Sequence, residues 1–385
     1  MSESLPATGV QPAGIARAQD APHVRQDLAT PRQGRVTAAV YGGSGYTGGE
    51  LLRLLLQHPN VEVVGATSAK MAGDPLHSAH PNLRGASELK FVPRAELPDA
   101  DVVFTCTPHT ESMAVVPAMM RPGRLVVDLS ADFRLRDPAV YESWYGAKHT
   151  APALLGQAVY GLPEVSRSRL PGAGLVSGVG CFATATTLAL LPMARAGLLE
   201  GARVVADGKI GSSAAGAEVN PAGMHAERTR SHRLYAPTSH RHAAEVLQNT
   251  GVKDLHVSVH TVELVRGILS TCHVLLPGPA PDEKTLWKAF RAQYGAEPFV
   301  RVVKERAGIH RGPDPILVAG SNFADVSFHA EEAGPGSGAP GRIVATCAID
   351  NLVKGAAGSA IQSMNVALGI PETAGLTQLP LHPVA

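Results

Sequence analysis

The apolar positions change their period part-way along the chain. VTAAVY (36–41) is an almost unbroken apolar run, followed by the turn-rich GGSGYTGGE and then LLRLLLQHP. Leu51, Leu52, Leu54, Leu55 and Leu56 cover a helix on most sides, as suits a helix packed against a sheet. Pro59 stops it. VEVVGAT (61–67) completes a strand–helix–strand unit of roughly 30 residues, the length of one βαβ repeat. Further strands are predicted at DVVFTCT and RLVVDLS. Near-continuous apolar strands alternating with helices imply a parallel sheet covered on both faces.

After about Gly178 the pattern shifts. ARVVADGKIG, HVSVHTVELVRGILSTCHVLL and RIVATCAID read as long strands with partial alternation, typical of an antiparallel sheet with one covered face. TLWKAFRAQYG is a predicted helix ending at Gly295. IDNLVKGAAGSAIQSMNVALG is a late helix rich in small residues, expected to pack back on the first domain. EEAGPGSGAPGR, ending at Arg342, is expected to be a loop between two strands.

Gly43-Ser44-Gly45-Tyr46-Thr47-Gly48 matches G-x-G-x-x-G, and its position between a strand and a helix gives the match meaning. Glycines permit the tight turn and a close backbone approach to a pyrophosphate, and the helix start offers free N–H groups to the anion. An NAD site places Asp or Glu after the second strand. This chain has Thr67-Ser68-Ala69-Lys70 there. A hydroxyl and a cation suit a 2′-phosphate, so Ser68, Ala69 and Lys70 point to NADP. The fold class expected is α/β: a Rossmann-type dinucleotide-binding domain plus an α+β catalytic domain with a mostly antiparallel sheet. The expected divisions are a loose tail over 1–34, the NADP-binding domain over 35–178, the catalytic domain over 179–348, and a returning helix with its tail over 349–385.

Composition narrows the function. A length of 385 residues suits two or three domains. Lys+Arg 34 against Asp+Glu 33 leaves a net charge of +1, with no basic field for nucleic acid or a membrane surface. No apolar run is long enough to span a bilayer, and the first 34 residues contain no apolar leader, so a cytoplasmic protein is expected. The four cysteines form no C-x-x-C pair, and no metal site or disulfide scaffold is expected. Cys106, Cys272 and Cys347 sit in strand-like runs and read as small buried hydrophobes.

Cys181 differs. It follows the glycine turn Ser177-Gly178-Val179-Gly180 and falls near a helix start. Free N–H groups and the helix dipole are expected to favour its thiolate, a good nucleophile toward acyl carbon and a good leaving group. A base is expected from Ser239-His240-Arg241-His242, with His240 favoured and His242 second. Arg84, Arg134 and Arg266 are candidates for gripping an anionic substrate.

Together these pieces resemble the N-acetyl-γ-glutamyl-phosphate reductase family, which is related to aspartate-semialdehyde dehydrogenase. The resemblance rests on GGSGYTGGELLRLL, VVDLSADFRL, YGLPE, GVGCFATA, HRHAAE, RGIL, AEPFVRV and IDNLVKGAAGSAIQSMNVALGIPET, which run in order over about residues 36–374. The family's P-G-C-Y-P-T segment is here Val179-Gly180-Cys181-Phe182-Ala183-Thr184. That departure, with HSAHPNLRG and GIHRGPDP, is closer to the lysine-biosynthesis branch, which reduces 2-aminoadipate 6-phosphate carried on the amino-group carrier protein LysW. Some members of that branch also serve arginine synthesis through LysW-linked glutamyl phosphate. The resemblance implies that Cys181 carries the acyl group and that Ser44 to Thr47 and Ser68 to Lys70 contact NADP. It also implies that Asn351, on the returning helix, lies near the nicotinamide, and that the chain forms a homo-oligomer, commonly a tetramer. N-acetyl-glutamyl phosphate is the alternative substrate, and a non-catalytic NADP-binding redox regulator is the alternative of another class.

Overall fold

Seven strands from the first half of the chain lie side by side in one sheet of a computed structural model, which describes residues 35–331 and 341–383. They are β1 (Val36–Tyr41), β2 (Val61–Thr67), β3 (Phe91–Val92), β4 (Val102–Thr105), β5 (Leu125–Asp128), β6 (Val159–Tyr160) and β7 (Leu175–Ser177). Their spatial order is β3-β2-β1-β4-β5-β7-β6, and every pairing is parallel. β4 and β5 are buried at every residue, as near-continuous apolar strands in a doubly covered sheet should be. The first helix, Tyr46–Leu55, buries Leu51, Leu52, Leu54 and Leu55 completely against it. Strand order reverses between β1 and β4. Ligands in such sheets bind outside the carboxyl ends of the strands at that reversal, which is where the glycine turn leaves β1.

The second sheet is built from β8 (Arg203–Ile210), β9 (Arg233–Ala236), β10 (Asp254–Thr261), β11 (Ile268–Leu275), β12 (Val300–Val302), β13 (Ala324–Glu331) and β14 (Arg342–Ile349), in the order β12-β13-β14-β11-β8-β10-β9. Four of its six pairings are antiparallel, and the β8–β10 and β12–β13 pairings are parallel, so the sheet is mixed. One sequence expectation needs correction here. HVSVHTVELVRGILSTCHVLL is two strands, β10 and β11, that flank β8 on opposite sides. The chain reverses between them and turns into β11 at Gly267, whose φ of +118° disfavours any side chain. Apolar alternation runs up to this reversal and resumes after it, so period alone does not reveal the break.

Two helices join the sheets. The chain leaves β7 at Ser177 and enters the helix Cys181–Arg195, whose residues from Phe182 to Met193 are all buried. Phe182 and Leu188 pack with Val204, Val257 and Phe328 of the second sheet. Cys181 therefore stands at the joint, at the first position of the helix. After β14 the backbone makes a wide π-helical turn, Val353–Ala357, then the helix Gly358–Leu368. Val353, Ile361 and Met364 share a core with Val40, Leu51 and Phe104 of the first sheet. Asn351 was expected on this helix; it precedes the π-turn instead. Cys272 and Cys347 are buried in the second core, and Cys106 is half-buried with its thiol pushed up to about 12 by burial. The expected N-terminal tail and most of the expected EEAGPGSGAPGR loop lie outside the described residues. Among the described residues no helix is long and apolar enough to cross a membrane.

Candidate active site

The glycine turn is shaped by contacts that exclude side chains at some positions and leave room at another. Gly42 has a φ of +88°, and a Cβ there would stand 2.8 Å from the Cys106 carbonyl oxygen. A Cβ on Gly48 would stand 2.7 Å from the Gly43 backbone, so the turn and helix could not close. A Cβ on Gly45 would meet nothing within 4 Å. That open side lies at the N-cap of the helix Tyr46–Leu55, where no side chain caps the N–H groups. Free donors facing open space at a helix start fit a pyrophosphate. The end of β2 is bound to the turn: the Gly42 N–H donates to Thr67 Oγ1 (3.0 Å), the Gly43 N–H to the Thr67 carbonyl (2.8 Å), and Ser68 Oγ to Ser44 Oγ (3.0 Å). His80 fixes the other side, its Nε2 lying 2.8 Å from the Gly43 carbonyl oxygen. Lys70 is exposed, within 3.9 Å of the equally exposed Glu218. Tyr46 opens onto a cleft of about 420 Å³ shared with Ser213, Met224, Val265, Arg266 and Leu352. Tyr46 of the turn and residues of the second domain thus line one space.

Cys181 lies half-buried at the start of the helix Cys181–Arg195. The sequence predicted a lowered thiol pKa; the structure corrects this. Burial pushes the Cys181 thiol up to about 11, outweighing the Arg134 guanidinium and the Phe182 N–H, which favour the thiolate. The helix start alone does not ionise it, because burial outweighs it and the Glu245 carboxylate adds to the same effect. Glu245 is fully buried; it accepts hydrogen bonds from the Gly180 N–H (2.9 Å) and the Tyr160 hydroxyl (2.7 Å) and pairs with Arg134 (3.3 Å). Since thiolate is the reactive form, alkylation of Cys181 by iodoacetamide should accelerate about tenfold per pH unit from pH 7 to 10, with its midpoint near 11. Following the Cys181 peptide by mass spectrometry checks this; a plateau by pH 8 would mean that Arg134 and the helix start prevail over burial.

The two histidines occupy different surroundings. His240 Nδ1 accepts the His242 backbone N–H (3.2 Å), which puts the ring proton on Nε2, 2.7 Å from the Tyr235 hydroxyl. Both ring nitrogens of His240 are thus engaged. The His242 ring lies against Gly180, where an added Cβ would come within 2.8 Å of its Cδ2. His242 Nδ1 is buried without a hydrogen-bond partner. Burial lowers both imidazoles: His240 to about 4, and His242 well below the usual histidine range, with His240 and Arg134 adding to the effect. Both are neutral at pH 7.

The predicted anion-gripping arginines do not converge. Arg84 is exposed. Arg266 pairs with Glu50 (2.7 Å) and Asp350 (3.4 Å), linking the first helix to the end of β14 while bordering the cleft. Arg134 is buried beside Cys181 and tied to Glu245. Asn351 is buried, with Nδ2 donating to Ser213 Oγ (2.9 Å) and Oδ1 accepting the Gly267 N–H (2.8 Å). Sequence reading missed Glu245, Tyr160 and Arg241. Glu245 carried a signal: it falls among Ala243, Ala244 and Val246, on the buried face of the helix Ala243–Thr250. Arg241 stacks over the Tyr145 ring (5.4 Å to its centroid), and Tyr145 also meets His109 edge-on. Among the described residues no group of three or more His, Cys, Asp or Glu side chains is arranged to hold a metal ion.

Residues 37–173 match the family described as semialdehyde dehydrogenase, NAD binding domain, and residues 181–351 match semialdehyde dehydrogenase, dimerisation domain. The chain belongs to the semialdehyde dehydrogenase family. Within it, this semialdehyde dehydrogenase relative is 50% identical to the putative [LysW]-L-2-aminoadipate 6-phosphate reductase of Thermomicrobium roseum, over 91% of this chain and 99% of that one. It is 49% identical to the [LysW]-L-2-aminoadipate 6-phosphate reductase of Deinococcus radiodurans, over 90% and 98%. It is 48% identical to the putative [LysW]-L-2-aminoadipate/[LysW]-L-glutamate phosphate reductase of Pyrobaculum aerophilum, over 90% and 99%. Among solved structures, the fold is shared with aspartate semialdehyde dehydrogenase II of Vibrio cholerae (TM-score 0.63, 15% identity, 86% of this chain and 98% of that one). It is shared also with the NADP-bound aspartate semialdehyde dehydrogenase of Candida albicans (TM-score 0.59, 14% identity, 88% and 100%). As a member of this family the chain is an oxidoreductase that uses a nicotinamide dinucleotide. The turn at Gly43–Gly48 lies in the matched NAD-binding part, and Cys181 opens the matched dimerisation part.

Proposed function

We propose that this protein is an NADPH-dependent reductase that converts a carrier-linked acyl phosphate to its semialdehyde through a thioester on Cys181. The substrate is LysW-linked 2-aminoadipyl 6-phosphate, with LysW-linked glutamyl 5-phosphate as a second substrate of the same site. The observation that carries the reading is the His242 ring seated against Gly180, the residue before the helix-start thiol, with Arg134 close to that thiol. The names of the relatives support the substrate. NADP is favoured over NAD because the end of β2 carries Ser68 and Lys70 and no carboxylate of its own. The dimerisation-domain match supports a homo-oligomer.

In this proposal His242 takes the Cys181 proton as sulfur attacks the acyl carbon. His240 is the poorer base because its lone pair already receives the His242 N–H. The S–C bond forms, the acyl C–O bond to phosphate breaks, and phosphate leaves. Arg241, stacked on Tyr145, and Arg134 surround that departure with positive charge. Gly43–Gly48 and Ser68 would hold a reduced nicotinamide dinucleotide, which when bound would supply one hydride to the acyl carbon. The Cys181 helix start then faces a tetrahedral oxyanion. Its collapse expels the sulfur, and His242 returns the proton. Glu245 and Tyr160 hold Gly180 and Arg134 in place throughout.

Chain length is a weak discriminator, since one methylene is worth only about 1–3 kcal/mol; the amino-group partner should discriminate far more. Offering LysW-linked aminoadipyl phosphate, LysW-linked glutamyl phosphate and free N-acetyl-glutamyl phosphate side by side tests the proposal. The carrier-linked substrates should show the higher kcat/KM. A higher value for the free N-acetyl compound overturns the carrier-linked assignment, and no turnover of any of the three overturns the enzyme.

A further inference from the structure

The structure contains a buried ion pair that no step above uses. Lys354 and Glu164 are both fully inaccessible to solvent, with Nζ 2.7 Å from Oε1. Lys354 Nζ also donates to Gln362 Oε1 (2.7 Å) and lies 5.8 Å from the centre of the Phe299 ring. Gln362 in turn donates to Glu164 (3.3 Å) and Glu372 (2.7 Å) and accepts from Asn322 (3.1 Å). Such a pair adds little stability over well-packed apolar side chains, because desolvating both charges offsets their attraction. Its best-attested use is to select one conformation among close competitors. Here the competing conformations are two windings of one turn.

Lys354 is the second residue of the π-helical turn. The Gly355 N–H reaches back to the Asp350 carbonyl (2.9 Å) and the Ala357 N–H to the Leu352 carbonyl (2.9 Å), each spanning five residues. Winding of this kind is less favourable than the α-helix and is found mostly as single turns at functional sites. The turn is held at both ends. Asp350 Oδ1 accepts the Leu352 (2.8 Å) and Val353 (3.2 Å) N–H groups, and Ser359 Oγ donates to the Lys354 carbonyl (2.6 Å). What the widened turn presents to the neighbouring helix is Gly355, against the nucleophile. A Cβ built on Gly355 would stand 2.7 Å from the Cys181 Cβ and 3.1 Å from its Cα. Rewinding the turn as regular α-helix would change which residue faces Cys181, and every residue other than glycine would push on it.

We infer that Lys354 and Glu164 are positioning residues for the nucleophile: their buried pair holds the π-turn in the winding that seats Gly355 against Cys181. Glu164 supplies the fixed end, since it sits on the short helix Pro163–Ser166 that follows β6 of the first sheet. The pair thus ties the returning chain to the first domain at the point where the second domain's helix begins. This rests on the reading of Cys181 as the nucleophile.

The test compares the full-length enzyme with Lys354→Met, with the double variant Glu164→Gln/Lys354→Met, and with Gly355→Ala. The single charge removal should lower Tm, because it leaves Glu164 buried and uncompensated. The double variant should recover most of that Tm, yet keep kcat depressed ~10-fold or more with KM little changed, since the nucleophile is misplaced. Its rate of Cys181 alkylation at fixed pH should also differ from that of the wild type, a readout that bulk stability does not move. If the double variant shows wild-type kcat and alkylation rate, the pair is structural only and the inference is overturned. If the double variant does not fold, Gly355→Ala decides, because it burdens the same contact without stranding a charge. Depressed kcat there supports the inference, and wild-type kcat overturns it. Cys181→Ser separates the two levels. Turnover in Cys181→Ser sinks the covalent reading itself, whereas an inactive Cys181→Ser beside a fully active double variant sinks only the role of the pair.

Discussion

Cys181→Ser is expected to lose at least ~10⁴-fold in turnover, on the scale seen when a catalytic nucleophile is removed, while dinucleotide binding stays unchanged. The size follows from two losses at once. A serine hydroxyl is far harder to ionise than a thiol, and burial already pushes the Cys181 thiol up to about 11. An ester formed on serine would also be a poorer hydride acceptor and would hold a worse leaving group than a thioester. The substitution is close to isosteric and lies far from the Gly43–Gly48 turn along the chain, so dinucleotide affinity, measured by NADPH fluorescence, should not change. Turnover within tenfold of wild type would contradict the covalent route.

His242→Asn should cost ~10²–10⁴-fold in kcat, the usual contribution of a positioned general base, and should exceed the loss from His240→Asn. The order is the informative part, because the sequence favoured His240. His240 has both nitrogens engaged, one by a backbone N–H and one by Tyr235. His242 rests on Gly180 beside the nucleophile, and its Nδ1 is unpartnered. Both rings are held below the ordinary histidine range and are therefore neutral at pH 7. The sign matters: a lowered pKa keeps the ring unprotonated at pH 6.5 as at pH 8, so its protonation state does not change across that range. The kcat loss in His242→Asn should therefore be the same at pH 6.5 and pH 8. A larger loss in His240→Asn would reverse the assignment.

How legible this was from sequence depends on the kind of signal. The parallel sheet could be read because its strands are apolar on both faces, and the dinucleotide turn because Gly43, Gly45 and Gly48 sit between a strand and a helix. Cys181 could be placed at a helix start because Gly178 and Gly180 mark the turn before it. The thiol's ionisation could not be read, because it is a balance struck by Glu245, Arg134 and burial, and these come together only in space. For the same reason Arg266 and Arg134 looked like open cations, whereas the fold closes them onto Glu50, Asp350 and Glu245. The division between β10 and β11 was hidden because alternation resumes on the far side of the turn. The π-turn was hidden because Lys354, a charged residue amid apolar ones, has its carboxylate 190 residues away at Glu164.

In the proposed mechanism the acyl group passes through Cys181. Mixing the enzyme with carrier-linked aminoadipyl phosphate in the absence of NADPH tests it most directly. One equivalent of phosphate should be released per active site, and the Cys181 peptide alone should gain the mass of the acyl group, which later addition of NADPH removes. No phosphate release before NADPH is added, or the acyl mass found on a residue other than Cys181, would rule out the Cys181 thioester.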